Sequence, residues 1–125
     1  MEHRLFVVVV DDDPSVCKAL TRLLRSAQME VEAHASAEEF LRALKQREPD
    51  CLILDVRMPV MTGPELRHKL FELGHRLPIV FITAHAEEVA QASAAEKRVD
   101  VLHKPFDGQT LLDAIQRAIK RSAGT

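Results

Sequence analysis

Val7-Val8-Val9-Val10-Asp11-Asp12-Asp13-Pro14 is the stretch that decides the fold. Four consecutive β-branched residues predict a strand buried on both faces, as in a parallel sheet covered by helices. The carboxylates that follow cannot all stand ionised side by side without a cation, because like charges disfavour one another's ionisation. Pro14 suits a first helical position, with Asp13 as the N-cap before it.

Two more apolar runs end on a charge. Leu52-Ile53-Leu54 stops at Asp55, and Val101-Leu102-His103 stops at Lys104. Three strands of this kind predict one site at one edge of a sheet. Strands are expected at about residues 5–10, 31–34, 51–54, 78–82 and 99–102, with amphipathic segments between them and after the last. The first helix places Val16, Leu20, Leu23, Leu24 and Ala27 on one face. The second opens on a capping box, Ser36-Ala37-Glu38-Glu39, and buries Phe40, Leu41 and Leu44 until Glu48-Pro49-Asp50 breaks it. The third follows Gly63-Pro64, carries Leu66, Leu70 and Phe71 inward, and ends at Gly74. A fourth, at about 86–96, has little beyond Val89 and alanines to bury, and is expected to be weakly anchored. The last runs from about Asp107 to Arg121 with Leu111, Leu112, Ile115, Ala118 and Ile119 inward.

Helices alternating with strands apolar on both faces, in five units, predict an α/β fold: a flavodoxin-like, doubly wound, five-stranded parallel sheet with five helices. Ligands of such sheets sit at the carboxyl ends of the strands, at the topological switch point. That rule brings Asp11–Asp13, Asp55, Thr83 and Lys104 to one mouth. The 125 residues make one domain, expected over 1–121, with 122–125 as a tail or the start of a linker. The net charge of −2 gives no reason to expect direct binding to nucleic acid or an anionic membrane, and no apolar run is long enough for a membrane span. Cys17 and Cys51 read as free buried thiols of a cytoplasmic protein. The six histidines show no metal-ligand spacing and read as surface residues.

Two or three carboxylates with backbone oxygen and water form a hard, oxygen-only site suited to Mg²⁺. A nearby lysine and hydroxyl can neutralise and orient phosphoryl oxygens, and a carboxylate beside the metal can itself be the nucleophile. The constellation therefore reads as Mg²⁺-dependent phosphoryl transfer to an aspartate.

Over roughly residues 4–121 the chain resembles the receiver domain of two-component response regulators, with the closest look to receivers fused to helix-turn-helix DNA-binding outputs. The motifs stand in order: Asp11-Asp12-Asp13, then Leu54-Asp55-Val56-Arg57-Met58-Pro59-Val60-Met61-Thr62-Gly63, then Thr83-Ala84, then Lys104-Pro105-Phe106. The resemblance implies that Asp55 accepts a phosphoryl group from a sensor histidine kinase or phosphotransfer protein. Asp12 would ligate Mg²⁺ directly, Asp11 mainly through a water, and the Arg57 carbonyl would complete the protein ligands. Lys104 would pair with one phosphoryl oxygen and Thr83 with another, across a cis Lys104–Pro105 bond. Arg57 and His85 occupy places where the family tunes phosphoryl lifetime. The implied product is a cytoplasmic signalling switch, not a turnover enzyme, that catalyses its own phosphoryl transfer and slow dephosphorylation. Its fourth-helix, fifth-strand and fifth-helix surface would control a DNA-binding effector domain or a homodimer.

Three features depart from that pattern. Val101 stands where receivers usually carry an aromatic, a glycine is missing before the fifth strand at Glu96–Asp100, and the fourth helix is thin. Competing readings are a phosphorylation-independent pseudo-receiver, a flavin module on the same fold, and a small Mg²⁺-dependent phosphatase of the haloacid-dehalogenase kind. The last would take its nucleophile from Asp11-x-Asp13.

Overall fold

Five parallel strands form one sheet in the computed structural model, which describes residues 4–85, 87 and 99–123. The strands are β1 (Phe6–Val10), β2 (Glu30–His34), β3 (Cys51–Asp55), β4 (Ile79–Thr83) and β5 (Asp100–His103), in the order β2-β1-β3-β4-β5. Among the described residues four helices cover it: α1 (Pro14–Ser26), α2 (Ala37–Leu44), α3 (Gly63–Glu72) and a C-terminal helix (Gly108–Ala123). The helix expected at 86–96, and most of the stretch lacking a glycine, lie outside the described residues, as does His3. No described helix is long and apolar enough to cross a membrane.

The valine run explains why β1 is central. Val8 and Val10 face one apolar cluster with Leu52, Leu54 and Phe81, closed by Phe40 of α2 and by Leu66 and Leu70 of α3. Val7 and Val9 face the other with Ile53 and Ile82, closed by Leu20 and Leu24 of α1 and by Leu111 and Ile115 of the C-terminal helix. Each such side chain contributes about 1.5–3 kcal/mol on burial, so burial on both faces pins β1 and β3 at the middle of the sheet.

Two expectations need correction. β2 is not apolar on both faces: Val31 is its one buried residue, while Glu30, Glu32 and Ala33 are exposed. It is an edge strand pairing only with β1, and its carboxylates discourage further strand addition. Phe71 does not face the core but is 58% exposed. Leu66 and Leu70, four residues apart, share the buried face of α3, and the next residue is rotated about 100° away from it. The Arg76 guanidinium covers the Phe71 ring at 4.2 Å instead.

The helix caps stand where they were read, with one half of the Ser36–Glu39 box formed. Asp13 caps α1, Ser36 accepts the Glu39 N–H at α2, and Pro14 and Pro64 occupy first-turn positions. A reciprocal capping box at α3 was not anticipated: the Thr62 hydroxyl accepts the Glu65 N–H while the Glu65 carboxylate accepts the Thr62 N–H. The connection reverses direction between β2 and β3 on either side of β1, which opens a crevice at the carboxyl ends of β1 and β3.

Candidate functional site

Asp11 leaves β1 with its backbone still tied to the sheet, its N–H donating to the His34 carbonyl at 3.1 Å. The residue is buried, and both carboxylate oxygens are engaged. One accepts the Asp13 N–H at 2.9 Å and the other accepts the Lys104 ammonium at 2.8 Å. Asp12 is exposed beside it. Asp13 turns outward as the cap of α1, accepting from the Ser15 N–H and hydroxyl, and those bonds hold its carboxyl below the usual range.

Asp55 ends β3 next to this pair and is buried. Burial and the Asp11 carboxylate push its pKa up to about 7; Lys104 and the Arg57 N–H bonded to it pull the other way. Lys104 reaches in from the end of β5, its Nζ 3.7 Å from an Asp55 oxygen. Burial opposes its charge, but the bond to Asp11 and the nearby carboxylates outweigh that, so its pKa is raised. Its backbone N–H donates to the Thr83 carbonyl at 2.7 Å, and the Lys104–Pro105 bond is cis, as the resemblance implied. Thr83 ends β4 fully buried, its hydroxyl oxygen accepting the His85 N–H at 3.1 Å. All four strand-end motifs thus meet at one mouth.

The donor set suits a divalent cation. Asp11, Asp12 and Asp55 each offer a carboxylate oxygen, all within 4.8 Å of one another. The pKa of Asp55 is raised first by burial and then by the Asp11 and Asp12 carboxylates, which Lys104 offsets only in part. Hard oxygen donors and residual negative charge are what Mg²⁺ selects. Arg57 is exposed, and its backbone N–H bonds to Asp55. Because both oxygens of Asp11 are already bonded and it is 1% exposed, it is poorly placed as the nucleophile of a phosphatase.

Gly63 and Val60 shape the site without having been given a role in it from the sequence. Gly63 packs on the end of β3: a β-carbon there would collide with the Asp55 carbonyl oxygen and crowd the Phe81 ring. Its place in the motif string was the available signal. The loop before it turns at Val60, which holds φ +72° with the Met61 N–H donating to the Pro59 carbonyl at 2.8 Å. Nothing in a valine announces that conformation. Cys17 is half-buried, unlike the fully buried Cys51, and donates through Sγ to the Asp11 carbonyl at 3.2 Å. His85 is half-buried with Nδ1 3.8 Å from Glu87, and His34 is also partly enclosed; His68 and His103 are exposed. Val101 packs partly buried against the cluster that holds Phe81.

Comparison with known proteins gives a consistent result. The family model for the response regulator receiver domain matches residues 7–116. The response regulator protein TmoT of Ectopseudomonas mendocina is 42% identical over 115 residues, 91% of this chain and 52% of its own length. The solved structure of response regulator StyR superposes with a TM-score of 0.81 at 43% identity, over 98% of this chain and 62% of that one. The crystal structure of FixJ-N gives a TM-score of 0.82 at 33% identity, over 96% of each chain. The chain spans about half the length of the curated relatives it matches.

Proposed function

This chain belongs to the response regulator receiver domain family, homologous to phosphorylation-activated two-component regulators, and on that footing we propose that Asp55 is its phosphoacceptor. Receivers are signalling domains, not conventional enzymes. The observation that carries the assignment is the placement of Asp55: a buried strand-end carboxylate facing Lys104 at 3.7 Å, inside a three-carboxylate oxygen cluster.

In the reaction we infer, an Asp55 oxygen attacks the phosphorus of a phosphohistidine on a sensor kinase or phosphotransfer protein. The P–N bond breaks, its electron pair stays with the imidazole nitrogen, and an aspartyl phosphate remains. Asp12, Asp11, Asp55 and the Arg57 carbonyl are the residues that would hold Mg²⁺, which when bound offsets the charge of carboxylates and phosphoryl oxygens. Burial keeps bulk water from Asp55. Lys104, now bonded to Asp11, lies within one side-chain rotation of a group on Asp55 and would pair with its oxygen. Thr83 would turn its hydroxyl toward a second oxygen. The added charge then biases the Thr83–Val101 region toward a second state that an output domain or second receiver reads. With the partly buried Val101, whose χ1 is stiff, that readout would run through backbone movement of the β4 end and not through an aromatic swing. Autodephosphorylation would be slow, with Arg57 and His85 flanking the approach. The length of the relatives and the DNA-binding regulators among them support a transcription-regulating output in the cytoplasm.

The test is intact mass after incubation with Mg²⁺ and acetyl phosphate. The expected result is one added phosphoryl group, absent in Asp55→Asn and absent with chelator. Label persisting in Asp55→Asn would move the nucleophile to the Asp11–Asp13 cluster, and no label under any condition would leave a pseudo-receiver.

A further inference from the structure

At the end of the sheet away from Asp55, a groove of about 430 Å³ opens between the last turn of α3, the loop after it, the start of β5 and the last turns of the C-terminal helix. Its floor is apolar, made by Leu70, Leu77, Ile79 and Ala118. Its walls are cationic: Arg67, Arg76 and Arg121 line it together with His68 and His75, and no aspartate or glutamate does among the described residues. In a chain with 19 acidic and 17 basic residues that is a marked segregation of charge. We propose that this groove docks an acidic peptide segment of a protein partner, which seats a bulky apolar side chain on the floor and sets carboxylates against the arginines.

Neighbouring carboxylates reach some of these cations from outside the groove. Glu72 and Glu48 approach the two histidines, at 3.5 and 3.1 Å. Asp100 is taken by Arg117 at 3.0 Å and stands 3.7 Å from Arg121, whose Nη2 is enclosed without a hydrogen-bond partner among the described residues. Arg76 rests on the Phe71 ring and has no carboxylate among the described residues. An enclosed guanidinium nitrogen without an acceptor is costly, and a partner carboxylate would repay it.

The apolar surface continues beyond the cavity. Of the three large hydrophobic residues exposed among the described residues, Phe71 (58%) lines this groove and Leu73 (56%) follows two residues later in the chain. A small carboxylate could meet an arginine but would leave the apolar floor and the Phe71 ring uncovered, whereas a peptide side chain covers them. Nucleic acid is disfavoured by the apolar floor and the net charge of −2. β4 runs from the groove at Ile79 to the mouth at Thr83, so a bound segment leaves the phosphoryl site open.

The experiment titrates ¹⁵N-labelled protein with a synthetic nonapeptide alternating glutamate with leucine and phenylalanine, and with its lysine counterpart. The expected result is saturable shifts confined to Arg67–Ile79, Val99 and Ala118–Ser122 with the acidic peptide alone. Arg67→Glu with Arg76→Glu should weaken binding at least about tenfold, and Phe71→Ser by less, with the rest of each spectrum unchanged. No groove shifts up to millimolar peptide, equal shifts with the lysine peptide, or binding of acetate alone at the same residues would overturn the proposal. So would the same shifts appearing on concentrating the protein by itself, which would make the occupant a second copy.

Discussion

The two ends of the central strands are built on opposite terms. At the amino end, polar groups complement each other: an Asp50 oxygen accepts the Phe6 N–H at 2.8 Å, and Arg47 lies over the Phe6 ring at 3.9 Å while pairing with Glu30 at 2.9 Å. At the carboxyl end, three carboxylates converge around one lysine, Asp55 resists ionisation, and Val60 holds a backbone conformation that β-branched residues avoid. The same β1 and β3 residues support both ends, so packing does not separate them. What separates them is that Phe6, Asp50, Arg47 and Glu30 satisfy one another at one end, while the other carries buried carboxylate charge and a strained turn. Substitutions at the two ends should therefore differ in sign and in response to Mg²⁺.

The largest effect is expected where the mouth is packed most tightly. Gly63→Ala places a methyl group against the Asp55 carbonyl and the Phe81 ring, both fixed by the sheet. We expect a loss of about 3 kcal/mol in urea unfolding, since neither neighbour can retreat without shifting β3 or β4. Unchanged stability would mean that the β3–α3 loop is not held against the strand end.

Asp55→Asn should go the other way. The folded carboxyl keeps its proton up to about pH 7, whereas the unfolded one releases it near 3.8. The stability that this raised pKa contributes is present below about pH 4 and is lost as pH climbs to about 7. Removing the charge should thus stabilise the protein by about 2 kcal/mol at pH 8 and little at pH 4. Mg²⁺ should stabilise the wild type at pH 8 and the variant much less. Parallel pH profiles for the two proteins would break the claim that the mouth stores charge repulsion.

Much of this contrast was legible in the sequence. Apolar runs ending in Asp11, Asp55 and Lys104 located the mouth, because parallel sheets collect strand ends on one side. The burial of β1 followed from valines on both faces. Phe71 was misread because helical periodicity cannot resolve one residue's rotation when an arginine from the next loop offers an alternative cover. β2 was overestimated because its place at the edge follows from the strand order, which composition does not encode. Gly63 was visible as a motif letter, but its reason, contact with a carbonyl eight residues earlier in the chain, exists only in three dimensions. The amino-end network was invisible for the same cause: Asp50 and Phe6 meet only once β1 and β3 pair.

That network supplies the contrasting control. Asp50→Ala leaves the partly buried Phe6 N–H without its acceptor and should cost about 1.5 kcal/mol. The loss should be indifferent to Mg²⁺, because Asp50 stands before β3, at the end opposite the mouth. A Mg²⁺-dependent change would show that the two ends are coupled through β1.

The smallest effect tests the strain itself. Val60 is fully exposed and buries nothing that a substitution could lose, so its contribution to stability is almost purely conformational. A β-branched residue at φ +72° costs more than glycine there, while glycine enlarges the unfolded ensemble. The first effect should prevail, and Val60→Gly should gain about 1 kcal/mol. Val60→Ala should recover less, because it removes the branch but keeps the β-carbon that disfavours positive φ. If glycine instead destabilised the protein, the turn would be relaxed as it stands, and charge alone would distinguish the mouth from the opposite end.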